Sequence, residues 1–263
     1  MSLQKGDFVF IDYVGKVKES GEVFDTTSEE TAKKEHLYKE GDTYESKLVV
    51  IGEGWVIKAL DESLAGMDVG KPSVVEISPD KAFGDRDPEK VKRVPLKQLL
   101  AKEITPTLGA RIEYGGKTAT IRAVGAGRVL LDFNPALAGK TLIYDATVKK
   151  KLETTEEKIA ALIHRRVPGI EPAKFEFTTK AKAVNINMPE EAYYIEGIQL
   201  AKRGIAMDIQ RFFKDMATVT FIETFKAELK KTESKAEEEG TKKEKAAKTE
   251  KEIKPAEEAQ AKT

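Results

Sequence analysis

The sequence lacks cysteine, and this absence removes several kinds of chemistry at once. In a chain of 263 residues with no cysteine, there can be no disulfides, thiolate metal sites, iron–sulfur clusters or cysteine nucleophiles. Only two histidines are present, His36 and His164, and their wide separation disfavours a histidine-rich metal site. The glycine patterns of phosphate-binding and dinucleotide-binding loops are incomplete. We therefore expect no metal and no cofactor.

Long apolar runs and net charge are missing as well. No run approaches the roughly 18 apolar residues of a transmembrane helix, and residues 1–7 lack the apolar stretch of a signal peptide. The 45 basic and 45 acidic residues cancel, so the chain as a whole is not attracted to nucleic acid or to an anionic membrane. These absences predict a cytoplasmic protein with no nucleic-acid partner and no membrane partner.

Apolar residues are nevertheless plentiful, at 40% of the chain. Their alternation with polar residues predicts strands at residues 7–17, from 23 onward, and at 47–51, 71–77 and 142–150. A short helix is predicted over residues 54–66, because Val56, Ile57, Leu60 and Leu64 fall on one face. Residues 28–47 are charged and show little hydrophobic periodicity, so we interpret them as a long irregular connection between strands.

Two further regions follow in the sequence. Residues 86–131 contain short strands and a hairpin that turns at 125–127, which predicts a small, mostly β unit. After residue 152 a helix is predicted with Thr155 as its N-cap, and two strands follow it. A long helix over residues 189–214 and a last strand over 218–225 complete the region. This β-β-α-β order behind a helix predicts a separate α+β domain.

The end of the chain has a different composition. From Lys230 onward there are ten lysines and nine glutamates but no aromatic residue. Such a segment cannot bury enough apolar surface to offset the entropy of ordering it. We interpret residues 230–263 as a disordered, solubilising tail, with a partner-binding arm as the alternative. The interleaved glutamates argue against nucleic acid as its partner.

Three separated segments form a recognisable pattern. Residues 12–27 contain DYVGK and GEVFDTT, residues 49–67 contain VVIG and VIKALDESLAGM, and residues 70–84 run from GK to ISPDKAFG. In this order and spacing they resemble the FKBP family of peptidyl-prolyl cis–trans isomerases. Residues 134–142, NPALAGKTL, resemble the flap of SlyD-type members, in which a chaperone domain is inserted. The region after residue 152 is similar to that of the long archaeal FKBPs.

The resemblance implies an α+β fold in which an FKBP-type antiparallel sheet wraps on a short helix. The implied domains are an isomerase domain of residues 1–85 and 132–152, and an insert-in-flap chaperone domain of residues 86–131. A C-terminal α+β domain of residues 153–229 and the tail follow. The implied activity is isomerisation of X–Pro bonds in folding proteins, so the expected partners are unfolded or nascent polypeptides.

The resemblance also implies which residues surround the substrate proline. The catalytic pocket would contain Tyr13, Phe24, Asp25, Phe83 and Tyr144. The substrate would further contact Val56, Ile57, Leu60, Leu137 and Ala138. Asp25 would be the polar wall residue, and the backbone N–H of Ile57 would donate to a substrate carbonyl. Leu60 and Phe83 depart from the common family pattern, in which a tryptophan and a tyrosine stand at these positions.

These residue types suit the chemistry, although each can also be explained as a structural residue with no part in an active site. Rotating an X–Pro bond requires loss of amide resonance against a barrier of about 18–20 kcal/mol, but no nucleophile, metal or acid. Without the resemblance, Phe24, Ile57 and Leu60 are ordinary core residues and Leu137 and Ala138 a loop. Tyr13 would then point its hydroxyl into water, and Asp25 would occupy a turn. Trp55 lies either at the pocket rim or at a surface contact.

Two functions stay open at this point. The first is a prolyl isomerase that also binds unfolded chains, and the second is mainly a holdase chaperone with vestigial isomerase activity. The predicted long helix carries more apolar residues than a three-stranded sheet readily covers. We therefore predict a homodimer or client-binding surface within residues 153–229, the alternative being that one chain buries these residues itself. His164 is expected to have no partner.

Overall fold

A long central strand, β1 (Phe8–Val17), organises the first sheet. The computed structural model describes residues 2–226, of which those up to Ile222 form one unit. Strand β1 pairs along its length with β9 (Leu142–Leu152), and β4 (Pro72–Ile77) pairs with the outer edge of β9. The other edge of β1 is shared by β2 (Val23–Thr26) and β3 (Lys47–Val50). All these pairs are antiparallel, and the predicted α+β class is confirmed.

A short helix, α2 (Lys58–Leu64), packs on one face of this sheet. Its Leu60 and Leu64 are fully buried with Val9 and Ile11 of β1. The helix begins four residues later than residue 54, where it was predicted to begin. The preceding turn contains Gly52 and Gly54 at positive φ, and the Asp61 carboxylate accepts hydrogen bonds from both of their N–H groups at 2.9 Å.

The predicted insert forms its own small sheet, whose last strand ends at Asp132, one residue beyond the predicted boundary. Its strands are β5 (Val91–Pro95), β6 (Arg111–Tyr114), β7 (Lys117–Gly125) and β8 (Arg128–Asp132), in the order β5-β8-β7-β6. The short helix α3 (Leu96–Leu100) follows β5. Leu99, Ile121 and Leu131 are fully buried in a core separate from that of the first sheet. The predicted hairpin is confirmed, and it turns at Ala126 and Gly127, both at positive φ.

The region after residue 152 has the predicted β-β-α-β order. Helix α4 (Thr155–Arg166) starts with a capping box between Thr154 and Glu157. Its N-cap is therefore Thr154, and the prediction of Thr155 is wrong by one residue. The strands are β10 (Glu176–Lys180), β11 (Ala183–Asn187) and β12 (Thr218–Ile222), and helix α5 (Ile198–Phe212) connects β11 to β12. Strands β11 and β12 are parallel, which is why a helical crossover is needed between them.

Two predictions about helices are wrong. The long helix expected over residues 189–214 is interrupted: residues Glu190–Tyr194 form a 3₁₀ turn, and α5 begins only after Gly197. Gly197 has φ of 77°, a left-handed conformation that cannot continue a helix. In addition, residues 28–47 contain a helix, α1 (Glu29–Lys34), whose first turn is capped by the Ser28 side chain.

The first sheet also supplies the cover that α5 needs. Phe8, Leu48, Val50 and Leu152 are buried with α4 and α5 on the face opposite α2. The Phe8 ring meets the Phe212 ring edge-on at 5.1 Å. Most of the apolar side of α5 is therefore covered within the chain.

A smaller part of the α5 surface stays uncovered. Leu200 and Met207 are exposed, at 75% and 58%. The homodimer through residues 153–229 stays a prediction, of which residues 227–229 lie outside the described part of the chain. The predicted tail, residues 230–263, lies outside it too.

The buried face of α5 leads to a stability prediction. Ile209→Ala should lower the free energy of unfolding by about 2–5 kcal/mol, because it leaves a cavity at a fully buried position. Leu200→Ala on the same helix is the matched control and should change it by about 0.5 kcal/mol or less. Urea denaturation followed by the fluorescence of Trp55, whose ring meets that of Phe212 at 5.8 Å, measures both. Equal midpoints for the two variants would contradict this packing.

Candidate active site

Neighbouring strands bring Tyr13 and Asp25 together. Tyr13 lies on β1 and Asp25 on β2, where Asp25 pairs with Gly15. The Tyr13 hydroxyl donates a hydrogen bond to a carboxylate oxygen of Asp25 at 2.8 Å. The ring of Tyr13 is buried, whereas Asp25 stays exposed to solvent. The alternatives for these two residues, a Tyr13 hydroxyl in water and an Asp25 in a turn, are therefore wrong. The hydroxyl has a protein partner, and Asp25 lies in a strand.

Aromatic rings of three strands meet above the sheet. Tyr144 on β9 lies opposite Gly15 of β1, and its ring contacts that of Tyr13 at 5.6 Å and that of Phe24 at 5.7 Å, both edge-on. Gly15 makes this approach feasible, since a Cβ at that position would lie 2.8 Å from the Phe24 ring. The glycine in DYVGK was not predicted as a site residue, although its place in a strand signals close approach of another group.

Aliphatic side chains complete the apolar cluster. Leu60 of α2 is fully buried within it, and partly buried Val56 and Ile57 precede α2. Leu137, from residues 133–141 between β8 and β9, packs against the same cluster. The structure thus brings together Tyr13, Phe24, Asp25, Val56, Ile57, Leu60, Leu137 and Tyr144.

Two predicted site residues lie outside this cluster. Phe83 is 44% exposed and stands just beyond Ala82, which does pack against the cluster. Ala138 is buried within the 133–141 connection, where its N–H donates to the carbonyl of Pro135. The N–H of Gly139 donates to the carbonyl of Gly84 at 2.8 Å. The two segments that carry Phe83 and Ala138 are thus joined next to the aromatic rings.

The electrostatics of the cluster keep its phenols neutral. Burial raises the pKa of Tyr144 to about 12, and the negative charge of Asp25 adds to this effect. Burial also raises the pKa of Tyr13 well above its usual range, together with the charge of Asp25 and the hydrogen bond to it. At neutral pH the Tyr13 hydroxyl therefore keeps its proton and remains a donor to Asp25.

A cleft of about 590 Å³ opens beside the cluster. It shares Tyr13, Phe24 and Asp25 with the cluster, and its other walls come from residues 37–48 and from α4. His164 of α4 bridges this cleft. Its Nε2 lies 2.7 Å from a carboxylate oxygen of Glu45, and its Nδ1 lies 3.3 Å from the carbonyl of Ile170. The expectation that His164 has no partner is wrong, because its partner comes from a segment 119 residues away in sequence.

Trp55 is a contact residue between domains. Its ring packs edge-on against Phe212 of α5, and the guanidinium of Arg165 lies 3.9 Å from the centre of the ring. This geometry is a cation–π contact. Of the two positions predicted for Trp55, the pocket rim and a surface contact, the structure favours the contact. This contact joins the segment before Val56 to the C-terminal region.

The arrangement suits binding and burial rather than bond-breaking chemistry. The cluster offers aromatic and aliphatic walls, with a single carboxylate held by one phenol. Among the described residues no group of three acidic or histidine side chains is placed to hold a metal ion.

Within residues 2–226 no helix is long and apolar enough to cross a bilayer.

Comparison with known proteins identifies the family. A family model described as FKBP-type peptidyl-prolyl cis-trans isomerase matches residues 1–105. The short-type peptidyl-prolyl cis-trans isomerase of Methanocaldococcus jannaschii is 35% identical over 147 residues, which are 56% of this chain and 92% of that relative. The chain belongs to the FKBP-type peptidyl-prolyl cis–trans isomerases. The predicted enzyme class is thereby confirmed.

Other FKBP relatives carry the SlyD name. SlyD of Aeromonas hydrophila is 29% identical over 153 residues, covering 57% of this chain and 64% of the relative. SlyD of Escherichia coli K12 is 31% identical over 121 residues, covering 45% and 60%. A second family model, described as FKBP26_C-terminal, matches residues 155–226. The resemblance to a long FKBP with a SlyD-like part is confirmed.

The Tyr13–Asp25 pair leads to a prediction about catalysis. Asp25→Ala should lower kcat/KM for a short X–Pro peptide by about tenfold or more, the range expected for losing one charged hydrogen-bonding group. Asp145→Ala is the matched control, since Asp145 is next to Tyr144 on β9 but pairs with Lys16 instead. A protease-coupled peptide assay measures both variants. Wild-type turnover by Asp25→Ala would remove Asp25 from the site.

The raised pKa of Tyr144 leads to a prediction about stability. An unfolded tyrosine has a pKa of about 10, so the neutral phenol stabilises the fold fully below that pH. This contribution is lost as the pH rises from about 10 towards 12. Tyr144→Phe should therefore lose less free energy of unfolding than the wild type between about pH 9 and 11.5. Urea titrations across this range measure the difference, and parallel pH curves would contradict the burial of this phenol.

Proposed function

We propose that the apolar cluster binds the proline of an unfolded chain and lowers the barrier to X–Pro rotation without covalent chemistry. The observation that carries this proposal is the contact between the buried rings of Tyr13 and Tyr144 and the partly buried ring of Phe24, next to Asp25. The planar amide is more polar than the twisted one because it has resonance. A site that replaces water by apolar walls therefore favours the twisted state over the planar ground state.

Positions around the cluster suit the other roles in this proposal. Ile57 directly precedes the first turn of α2, where backbone N–H groups have no partner within the helix. Its N–H would donate to the carbonyl of a bound peptide. Leu60 closes the bottom of the site, and Phe83 and Ala138 would contact the peptide from the outside. These roles rest on the family resemblance and on the positions of the residues.

We further propose that residues 86–131 act as a chaperone domain. They have their own sheet and core, which supports a separate domain here, although its last strand ends at Asp132 and not at 131. Leu100, Leu108 and Val124 of this insert are exposed, at 52%, 70% and 44%. Contact surfaces are built from exposed apolar side chains that lie together, and these three are the large apolar side chains that the insert offers to a client. Holding a client on the insert would raise its effective concentration at the prolyl site.

The sequence left open a prolyl isomerase that also binds unfolded chains and a protein that is mainly a holdase. Substitutions in the insert distinguish them by their effects on refolding, aggregation and peptide turnover. Leu100→Ser/Leu108→Ser should slow the catalysed refolding of a proline-limited protein by about tenfold or more and reduce suppression of aggregation. Turnover of a short X–Pro peptide should stay near the wild-type value, because a short peptide fits the pocket alone. Refolding rates, light scattering and the peptide assay together measure this.

A matched control separates the insert from the C-terminal domain. Leu200→Ser/Met207→Ser removes exposed apolar side chains of α5 instead, and we expect it to leave all three measurements unchanged. If only this control reduced client binding, the chaperone surface would belong to the C-terminal domain. If the wild type suppressed aggregation but failed to turn over the short peptide, the protein would be mainly a holdase.

A further inference from the structure

A buried carboxylate stands where the chain leaves the insert. Asp132 is the last residue of β8 and is 1% exposed. One of its carboxylate oxygens accepts hydrogen bonds from the side chains of Arg86 at 2.8 Å and Arg122 at 3.2 Å. The other accepts from the backbone N–H of Asn134 at 3.0 Å and from its side-chain amide at 2.8 Å. Four donors thus converge on one side chain.

These donors belong to different parts of the chain. Arg122 lies on β7 inside the insert, Arg86 lies on the connection that enters the insert, and Asn134 lies on the connection that leaves it. The Asn134 side chain also accepts from the N–H of Asp87 at 3.0 Å and donates to its carbonyl at 2.8 Å. Both crossings between the first sheet and the insert are therefore tied to Asp132.

Arg86 extends this network to the predicted flap. A Cβ placed on Gly139 would lie 3.1 Å from the Cβ of Arg86, so the flap backbone rests directly on Arg86. The N–H of Gly139 is fixed on the carbonyl of Gly84. Two residues before Gly139, Leu137 packs into the apolar cluster of the active site. A continuous set of contacts therefore runs from the insert sheet to the pocket wall.

The charge of Asp132 holds this network together. Burial alone would raise its pKa, but hydrogen bonds from Asn134, Arg86 and Arg122 lower the pKa to about 2. The group is ionised at all pH values at which the protein would be assayed. A buried carboxylate that loses a charged partner is destabilised, so turning the insert relative to Arg86 would cost the ion pair between Arg86 and Asp132.

From these contacts we propose that Asp132 is a positioning residue that couples the orientation of the insert to the flap. A polypeptide held on the insert is thereby directed to the prolyl pocket at a fixed distance and angle. This role rests on the proposed function, since it concerns clients that occupy both domains. A freely rotating insert would present the X–Pro bond to the pocket in few of its orientations, and catalysis on such clients would be slower.

The test compares two substrates in three single variants. Asp132→Asn keeps the shape of the side chain but places an amide against the arginines. Arg86→Gln removes the guanidinium that donates to Asp132 and keeps the Cβ that lies against Gly139. Both should lower kcat/KM for refolding of a proline-limited protein by about tenfold, while kcat/KM for a short X–Pro peptide stays within about twofold. Arg122→Gln, which removes the donor inside the insert, should leave the ratio of the two values near that of the wild type.

Two further measurements separate positioning from stability. Suppression of aggregation should be unchanged in Arg86→Gln, because Arg86 lies outside the insert sheet and is itself half-exposed. Amide ¹⁵N relaxation should show the insert reorienting independently of the first sheet in Arg86→Gln and Asp132→Asn. A wild-type ratio of the two kcat/KM values in Arg86→Gln would overturn the coupling. If the wild type itself treated both substrates alike, the proposed delivery of clients from the insert would fail, and the coupling with it.

Discussion

Strand β1 packs against helices on both faces at its start, and the two halves of the structure depend on this constraint. Its alternate side chains point to opposite sides of the sheet, so Val9, Ile11 and Tyr13 face α2 while Phe8 and Phe10 face α4 and α5. Phe8 and Phe10 thereby complete, together with Leu48, Val50 and Leu152 of the neighbouring strands, the surface on which the C-terminal region packs. The segment that supplies Tyr13 to the candidate active site is thus the segment that holds the C-terminal region in place.

The same strand determines how closely the aromatic rings can approach. Residue 15 of β1 lies between Tyr144 on one neighbouring strand and the hairpin of Phe24 on the other. Because this residue is glycine, both rings can lean over the strand and meet edge-on. Any side chain there would contact the Phe24 ring at less than van der Waals distance. The apolar walls of the site therefore follow from one backbone position, and the Tyr13–Asp25 hydrogen bond adds the single polar contact.

The members of the apolar cluster were predicted through the resemblance to the FKBP family, whereas local patterns in the sequence were sufficient for the strands and the insert hairpin. Their signals are alternation and turn residues, which depend on neighbours within a few positions. The break before α5 was missed because apolar residues run on through Tyr194 and Ile195, and Gly197 stops the helix by its conformation alone. Partners distant in sequence were missed for another reason: nothing near His164 or Asp132 indicates that Glu45 or Arg86 lies beside it in the fold.

Isomerisation of an X–Pro bond transfers no proton and breaks no bond, and this limits how distant parts of the chain can affect it. They can change only where the substrate lies and how far water is excluded from it. Under the proposed function residues 133–141 would contribute to both, because Leu137 packs in the apolar cluster and Gly139 rests on Arg86. The insert joins the chain next to this connection, and Asp132 ties its entering and leaving segments together. Under the proposed function these contacts would therefore determine where a client held on the insert lies relative to the pocket, while the apolar walls that a short peptide contacts stay the same.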